Sequence, residues 1–154
     1  MSESGRVEAV EEILRAWLLE REVALMCGRW MDGGIMELVL EDGATLSTAH
    51  YSGRFAGLRD VAIAGHRHHM HVDLGCVSRV TYAVTPSVCY GLKPSFEVRF
   101  GGASDDAAFA VTLLAPYRAG GVDAERVARY FALLRHHASR HASLVRFVAD
   151  DGGR

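Results

Sequence analysis

The clearest strand patterns in the sequence lie at residues 77–84 (VSRVTYAV), 96–100 (FEVRF) and 109–114 (FAVTLL). Apolar and polar side chains alternate in the first two segments, which is typical of half-buried β-strands. The third segment is apolar on both faces, which indicates a central strand. Because these strands follow one another without helices between them, the sequence favours an antiparallel sheet over a βαβ arrangement.

Helical patterns lie on both sides of this strand-rich region. Apolar residues recur every three or four positions over residues 6–22, with Ser4 as the predicted N-cap, and over residues 124–138, with Asp123 as the cap. Further short strands are predicted at 35–40, 44–49, 58–64 and 69–74, the first two as a hairpin around Asp42-Gly43. Residues 29–34 are predicted as a loop, and residues 142–149 as a weak strand or a helix extension. The prediction is an α+β fold, with about eight or nine short antiparallel strands flanked by an N-terminal and a C-terminal helix.

Length and composition limit the class of protein. The chain has 154 residues, of which 49% are hydrophobic and 23% charged, so we expect one domain over 1–154 with frayed ends at 1–4 and 150–154. The formal net charge of −2 gives no reason to expect nucleic-acid binding, and no apolar stretch approaches the ~20 residues of a membrane span. Three cysteines without a CxxC motif, and no pattern of a signal peptide, predict the reducing cytoplasm. Cys76 and Cys89 are predicted to be buried and inert.

Histidine is concentrated in one segment. Four of the eight histidines lie in the sequence His66-Arg67-His68-His69-Met70-His71. In an extended strand, Met70, Val72 and Leu74 would share a core face, and Arg67, His69, His71 and Asp73 would share the other. Alternate residues lie ~6.6–6.8 Å apart, so two imidazoles could hold one metal ion, or one could ligate haem iron. A solvated histidine loop and acid–base catalysis are the alternatives.

Other candidate residues are less specific. His136, His137 and His141 lie near the end of the second helix, where we expect a structural role because HExxH is absent. A haem slot could be lined by a set of apolar and aromatic residues, namely Val61, Ile63, Met70, Tyr82 and Tyr90. Its propionates could be held by an arginine from the set Arg54, Arg59, Arg67 and Arg79.

Several segments together resemble the ChuX/HutX family of haem-utilisation carriers. The resemblance rests on the strand at 36–40 with its acidic turn, the histidine-rich segment 65–74, the buried strand 109–114 and the closing helix around 130–134. It implies an antiparallel β fold flanked by helices, usually homodimeric, that binds haem through histidine. Such carriers store haem or pass it to an accepting protein.

Three functions compete at this stage. The first is a cytoplasmic haem carrier, a binding protein rather than an enzyme. Its cofactor-binding residues would be His66, Arg67, His68, His69, Met70, His71 and Arg79, and its iron ligand would come from His66, His68, His69 or His71. The second is a Zn- or non-haem-Fe-dependent enzyme using His69-x-His71-x-Asp73, with His50 or a helix histidine completing the ligands. The third is a dimeric interaction module without a small ligand. We predict the first.

Overall fold

Two α-helices and eleven strands make up the part of the chain that the structure describes. The structure, a computed structural model, describes residues 1–20, 23–31, 34–40, 46–50, 57–63, 69–102 and 107–150. The helices are α1 (Glu3–Leu18) and α2 (Ala124–Arg140). The strands are β1 (Val23–Met31), β2 (Gly34–Leu40), β3 (Leu46–His50), β4 (Leu58–Ile63), β5 (His69–Asp73), β6 (Arg79–Pro86), β7 (Pro94–Gly101), β8 (Ala107–Leu113), β9 (Tyr117–Arg118), β10 (Gly121–Val122) and β11 (Val145–Ala149).

The strands form a large sheet, a small sheet and a short β9–β10 ribbon. The large sheet has six strands in the order β11-β6-β7-β8-β1-β2, and the small sheet has the order β3-β4-β5. Every pairing is antiparallel except that of β11 with β6, which is parallel. The predicted α+β class, with a largely antiparallel sheet and an N-terminal and a C-terminal helix, is therefore confirmed.

Helix α1 begins earlier and ends earlier than predicted. The Ser2 hydroxyl, not that of Ser4, caps the helix by accepting a hydrogen bond from the Gly5 amide at 3.0 Å. The helix ends at Leu18 and β1 begins at Val23, because the apolar residues that follow α1 pair with β8 instead of continuing the helix.

An aromatic cluster joins both helices to the large sheet. Trp17 of α1, Tyr82 of β6 and Tyr130 of α2 contact one another with ring centroids 5.4–6.0 Å apart. All three side chains are almost fully buried. Asp123 caps α2 as predicted, accepting from the Arg126 amide at 3.2 Å. Both helices thus cover the same face of the sheet, which fixes the core.

Three other local predictions are wrong. The hairpin over 35–49 does not form, since β2 pairs with β1 whereas β3 pairs with β4 in the other sheet. The predicted loop at 29–34 overlaps β1, which reaches Met31. Cys76 and Cys89 are exposed, because each lies in a 3-10 turn outside the strands. Within the described residues, no helix has the length and apolar character required to cross a membrane.

Candidate functional site

Strand β5 presents one apolar and one polar face, as its sequence predicts. Val72 and the following Leu74 are fully buried, whereas His71 and Asp73 are exposed. The buried side of the small sheet lies against α1, where Val61, Leu74 and Leu14 line a shared apolar contact. This packing fixes the orientation of β5, because a shift by one residue would bury the histidine positions.

His71 lies beside a carboxylate that the sequence analysis did not identify. In the antiparallel register His71 is the direct partner of Asp60 on β4, and Nδ1 of His71 lies 3.7 Å from Oδ1 of Asp60. Oδ1 of Asp60 is buried and makes no hydrogen bond, while the His71 side chain is 55% exposed. A buried carboxylate oxygen without a hydrogen bond is costly, so this atom has a strong tendency to accept one.

The other predicted histidines are only partly described. The register pairs His69 with Ala62, two positions along the same face as the His71–Asp60 pair. Only the backbones of His69 and Met70 are described, both within β5. His66, Arg67 and His68 lie outside the described residues, as does Arg54. His50 ends β3, paired with Arg59 in the row next to that of Asp60.

The side chain of Asp73 stabilises the turn that follows β5. Its Oδ1 accepts from the Gly75 amide at 3.0 Å, and its Oδ2 accepts from the Cys76 thiol at 3.2 Å. The second bond, together with burial, raises the pKa of Cys76. Both carboxylate oxygens are therefore engaged in the 3-10 turn Leu74–Cys76 rather than directed at the histidines.

A close backbone crossing holds this end of the strand in place. The Leu74 amide donates to the Gly57 carbonyl at 2.7 Å, and a Cβ at Gly57 would lie 2.6 Å from the Gly75 nitrogen. Glycine is required at Gly57 because no side chain fits between the two backbones.

The predicted haem slot does not form from the described residues. Val61 is buried under α1, Tyr82 belongs to the central aromatic cluster, and Tyr90, in the β6–β7 turn, packs at a tilt against Tyr117 of β9. The side chains of Ile63 and Met70 are outside what the structure describes. The sequence indicates which residues of a strand share a face. It does not indicate which sheet the strand joins, because that depends on long-range pairing, so the predicted slot residues lie in different parts of the fold.

Two of the arginines predicted to hold the propionates, Arg59 and Arg79, lie away from the histidine face of the small sheet. Arg59 is buried, and its Nε donates to Oε2 of Glu11 at 3.2 Å, which ties the small sheet to α1. Arg79 begins β6 in the large sheet, opposite Gly101, and not beside His71 in the small one. The structure therefore brings together His71, Asp60 and the backbone position of His69, and separates Arg59 and Arg79 from them.

Two of the helix histidines, His137 and His141, make structural contacts, whereas His136 is exposed. Nδ1 of His137 lies 2.5 Å from the hydroxyl of Tyr82, which accepts a hydrogen bond from Nε1 of Trp17 at 3.0 Å. The same hydroxyl can donate to or accept from Nδ1 of His137, depending on the tautomer of the ring. Burial lowers the pKa of His137 to about 4, so this ring is neutral at pH 7. His141 is hydrogen-bonded to Glu12 of α1 instead, so the two rings share no ligand.

Two further observations concern ligand sites. Among the described residues, no three His, Cys, Asp or Glu side chains are placed to hold a metal ion. An open cleft of about 480 Å³ lies elsewhere, between the end of α1 and the start of α2. Its rim is occupied by internal ion pairs, Arg129–Glu20 at 2.9 Å and Arg118–Asp123 at 2.7 Å.

The similarity of this chain to known proteins concerns its fold and indicates no activity. No protein-family model and no curated protein matches this chain. The chain is similar to a crystal structure of a protein from Agrobacterium tumefaciens, solved as a structural genomics target, with a TM-score of 0.53 and 14% identity. The likeness covers 84% of this chain and 66% of that one, slightly under two thirds of its length. At this identity the likeness concerns the fold alone.

Proposed function

We propose that this chain is a haem-binding carrier in which His71 supplies an iron ligand, assisted by Asp60. The observation that supports this most directly is the 3.7 Å approach of the buried, unbonded Oδ1 of Asp60 to Nδ1 of His71. Metal-ligating histidines commonly donate one ring N–H to a carboxylate, which orients the ring and increases the basicity of the other nitrogen. Asp60 is placed to do this through Nδ1 of His71, and Nε2 would then bind the iron.

The surroundings of His71 fit a flat ligand. The cross-strand row beside His71 continues through Asp60 to Ala49, and the next row runs from His69 through Ala62 to Ser47. Three of these positions, namely Ala49, Ala62 and Ser47, carry small residue types, which would suit a flat ligand beside the histidines. Bound haem would supply an iron centre with an open coordination position, and imidazole is a common axial ligand of such iron.

The exposure of the site is consistent with a carrier rather than an enzyme. A ligand held at an exposed sheet face can be passed to an accepting protein without unfolding of the core. The sequence resemblance to haem-utilisation carriers names the same class of ligand. His66, His68 and His69 remain further candidate ligands, and Arg67 a candidate for the propionates. A homodimer in the cytoplasm that delivers haem to an accepting protein completes the proposal.

A metal-ion site is the second candidate, because a shared ion would also separate Nδ1 and Oδ1 by a distance such as the observed 3.7 Å. With metal–ligand bonds of about 2.1 Å, that spacing corresponds to a ligand–metal–ligand angle of about 120°, wider than the ideal tetrahedral angle. His69, on the same face of the strand, would then be the third ligand. The metal site predicted from His69, His71 and Asp73 is less favourable, because both carboxylate oxygens of Asp73 accept hydrogen bonds from Gly75 and Cys76.

Titration of the purified chain with hemin and, separately, with Zn²⁺ distinguishes the two candidates. For the haem carrier we expect a saturable Soret shift near one haem per chain and no tight Zn²⁺ binding. For the metal site we expect the reverse. A hemin spectrum that matches free hemin throughout would contradict the carrier.

A further inference from the structure

Strand β11 is an edge of the large sheet and carries exposed apolar side chains. It ends the strand order, and Phe147 and Val148 are 46% and 37% exposed. Proteins normally protect such an edge with lysine, proline or a β-bulge, because unpaired backbone groups there attract another strand. The segment VRFVA contains neither lysine nor proline, its one charged residue is Arg146, and its pairing with β6 is regular over all five residues.

The backbone hydrogen bonds show which groups of β11 face outward. The Val80 amide donates to the Leu144 carbonyl, and the Asp150 amide donates to the Val84 carbonyl, both at 2.9 Å. In a parallel pairing with this register, alternate residues of β11 direct both backbone groups towards β6. Arg146 and Val148 therefore bond inward, whereas the N–H and C=O groups of Phe147 and Ala149 point away from the sheet.

We propose that β11 pairs antiparallel with β11 of a second copy, about a two-fold axis at Val148. In this register Phe147 and Ala149 of one copy exchange backbone hydrogen bonds with Ala149 and Phe147 of the other. Val148 faces its own counterpart, and Arg146 faces Asp150. This surface and register go beyond the dimeric state proposed above and do not depend on haem binding.

Charge complementarity selects a second copy in this register. Arg146 and Asp150 are both exposed, lie on the same face of β11, and stand equally far from Val148 on its two sides. Nε of Arg146 donates to the Thr81 hydroxyl at 3.0 Å, so a cross-copy contact with Asp150 would add to the contacts that both residues have within the chain. Two-fold symmetry about Val148 places each arginine opposite an aspartate, twice in one interface, which stabilises a cross-strand pair. An axis at Arg146 would instead oppose the two arginines, and an axis at Phe147 would bring them to diagonal positions.

The other face of the strand supplies apolar contact. Phe147 lies on the side covered by α2, with its ring centroid 6.0 Å from that of Phe131. In the proposed register each Phe147 has the small Ala149 of the second copy opposite it, so the ring has room to remain against α2. The half-buried Phe131, which contacts Phe147, would extend the contact beyond the backbone.

Charge reversal tests the proposal most specifically. Sedimentation equilibrium from about 2 to about 200 μM should show a dimer for the wild type. Arg146→Glu and Asp150→Arg should each raise the dimer dissociation constant at least about 10-fold, since each opposes like charges. The double reversal should restore it to within about 3-fold of the wild type. Val88→Glu, at an 86% exposed site on the β6–β7 turn, is the control and should leave the dimer intact.

Two further measurements keep the test independent of side-chain effects. Ala149→Pro removes an outward N–H without breaking the ladder to β6, so it should give a folded monomer. In the wild type, hydrogen exchange of the Phe147 and Ala149 amides should slow at least about 10-fold above the dimer dissociation constant, while that of Val148 should not change.

Several results would overturn the proposal. They are a wild type that is monomeric across the range, a dimer that survives Ala149→Pro, and a double reversal no tighter than either single reversal. A dimer lost on Val88→Glu alone would place the interface at the β6–β7 turn and contradict pairing through β11.

Discussion

Asp60 and His71 face each other across β4 and β5, with Oδ1 of the carboxylate 3.7 Å from Nδ1 of the ring. The carboxylate oxygen is buried and makes no hydrogen bond, while the ring is half exposed. Their pairing is a result of the antiparallel register, which in turn is set by the burial of Val61 and Val72 against α1.

Removing the charge of Asp60 should weaken haem binding without removing the ligand. Asp60→Asn keeps the size of the side chain but lowers the basicity that a carboxylate confers on a ligating imidazole. Loss of such a partner typically costs about 10- to 100-fold in affinity. Hemin titration of the variant checks this. Equal affinity of Asp60→Asn and wild type would show that Asp60 does not assist the ligand.

Stability should fall as pH decreases from about 6.5 towards 4 because of His137. Burial lowers the pKa of this ring from 6.5 to about 4 in the folded chain, so between these values the unfolded state binds more protons. Its contribution is fully present above pH 6.5 and is lost as pH falls, by up to about 3 kcal/mol.

Urea unfolding at several pH values measures this contribution. Comparison of the wild type with His137→Gln isolates it from those of other groups, and the variant should show a shallower pH dependence across that window. An identical dependence in both proteins would mean that His137 does not lose a proton on folding.

The hydroxyl of Tyr82 should contribute more to stability than an ordinary exposed hydroxyl. Tyr82→Phe leaves both the Trp17 N–H and Nδ1 of His137 buried without partners, at a cost of about 2 kcal/mol or more. Tyr117→Phe is the control, because its hydroxyl donates only to the partly exposed Pro94 carbonyl, and should cost about 1 kcal/mol or less. Equal losses in urea unfolding would contradict the buried network.

A methyl group at Gly57 should disrupt the end of β5. Its Cβ would lie 2.6 Å from the Gly75 nitrogen, so the backbone crossing must open, and we expect a loss of more than about 2 kcal/mol. Gly102→Ala is the matched control, because nothing lies within 4 Å of its added Cβ. Thermal unfolding of the two variants should therefore differ clearly.

The sequence predicted the parts of the fold that depend on local pattern. Alternation over 77–84 and 96–100 correctly indicated β6 and β7, and the apolar run 109–114 indicated the central β8. The two faces of β5 were also correct for His71, Val72 and Asp73. In each case a period of two, with one face buried, is sufficient to set the orientation of side chains.

Features that depend on long-range pairing could not be predicted in this way. Strand β1 was missed because residues 23–31 show no alternation and directly follow a helical pattern. The Asp42-Gly43 turn indicated a hairpin, yet β2 and β3 pair with different strands. Asp60 could not be identified from the sequence, because its approach to His71 depends on the register between β4 and β5.

The most direct test of the account is a hemin titration of three proteins, namely the wild type, His71→Ala and His136→Ala. His136 is an exposed helix histidine and serves as the matched control. We predict a saturable Soret shift near one haem per chain for the wild type and His136→Ala, and its loss in His71→Ala. A spectrum of His71→Ala identical to that of the wild type would contradict the assignment of His71 as the iron ligand.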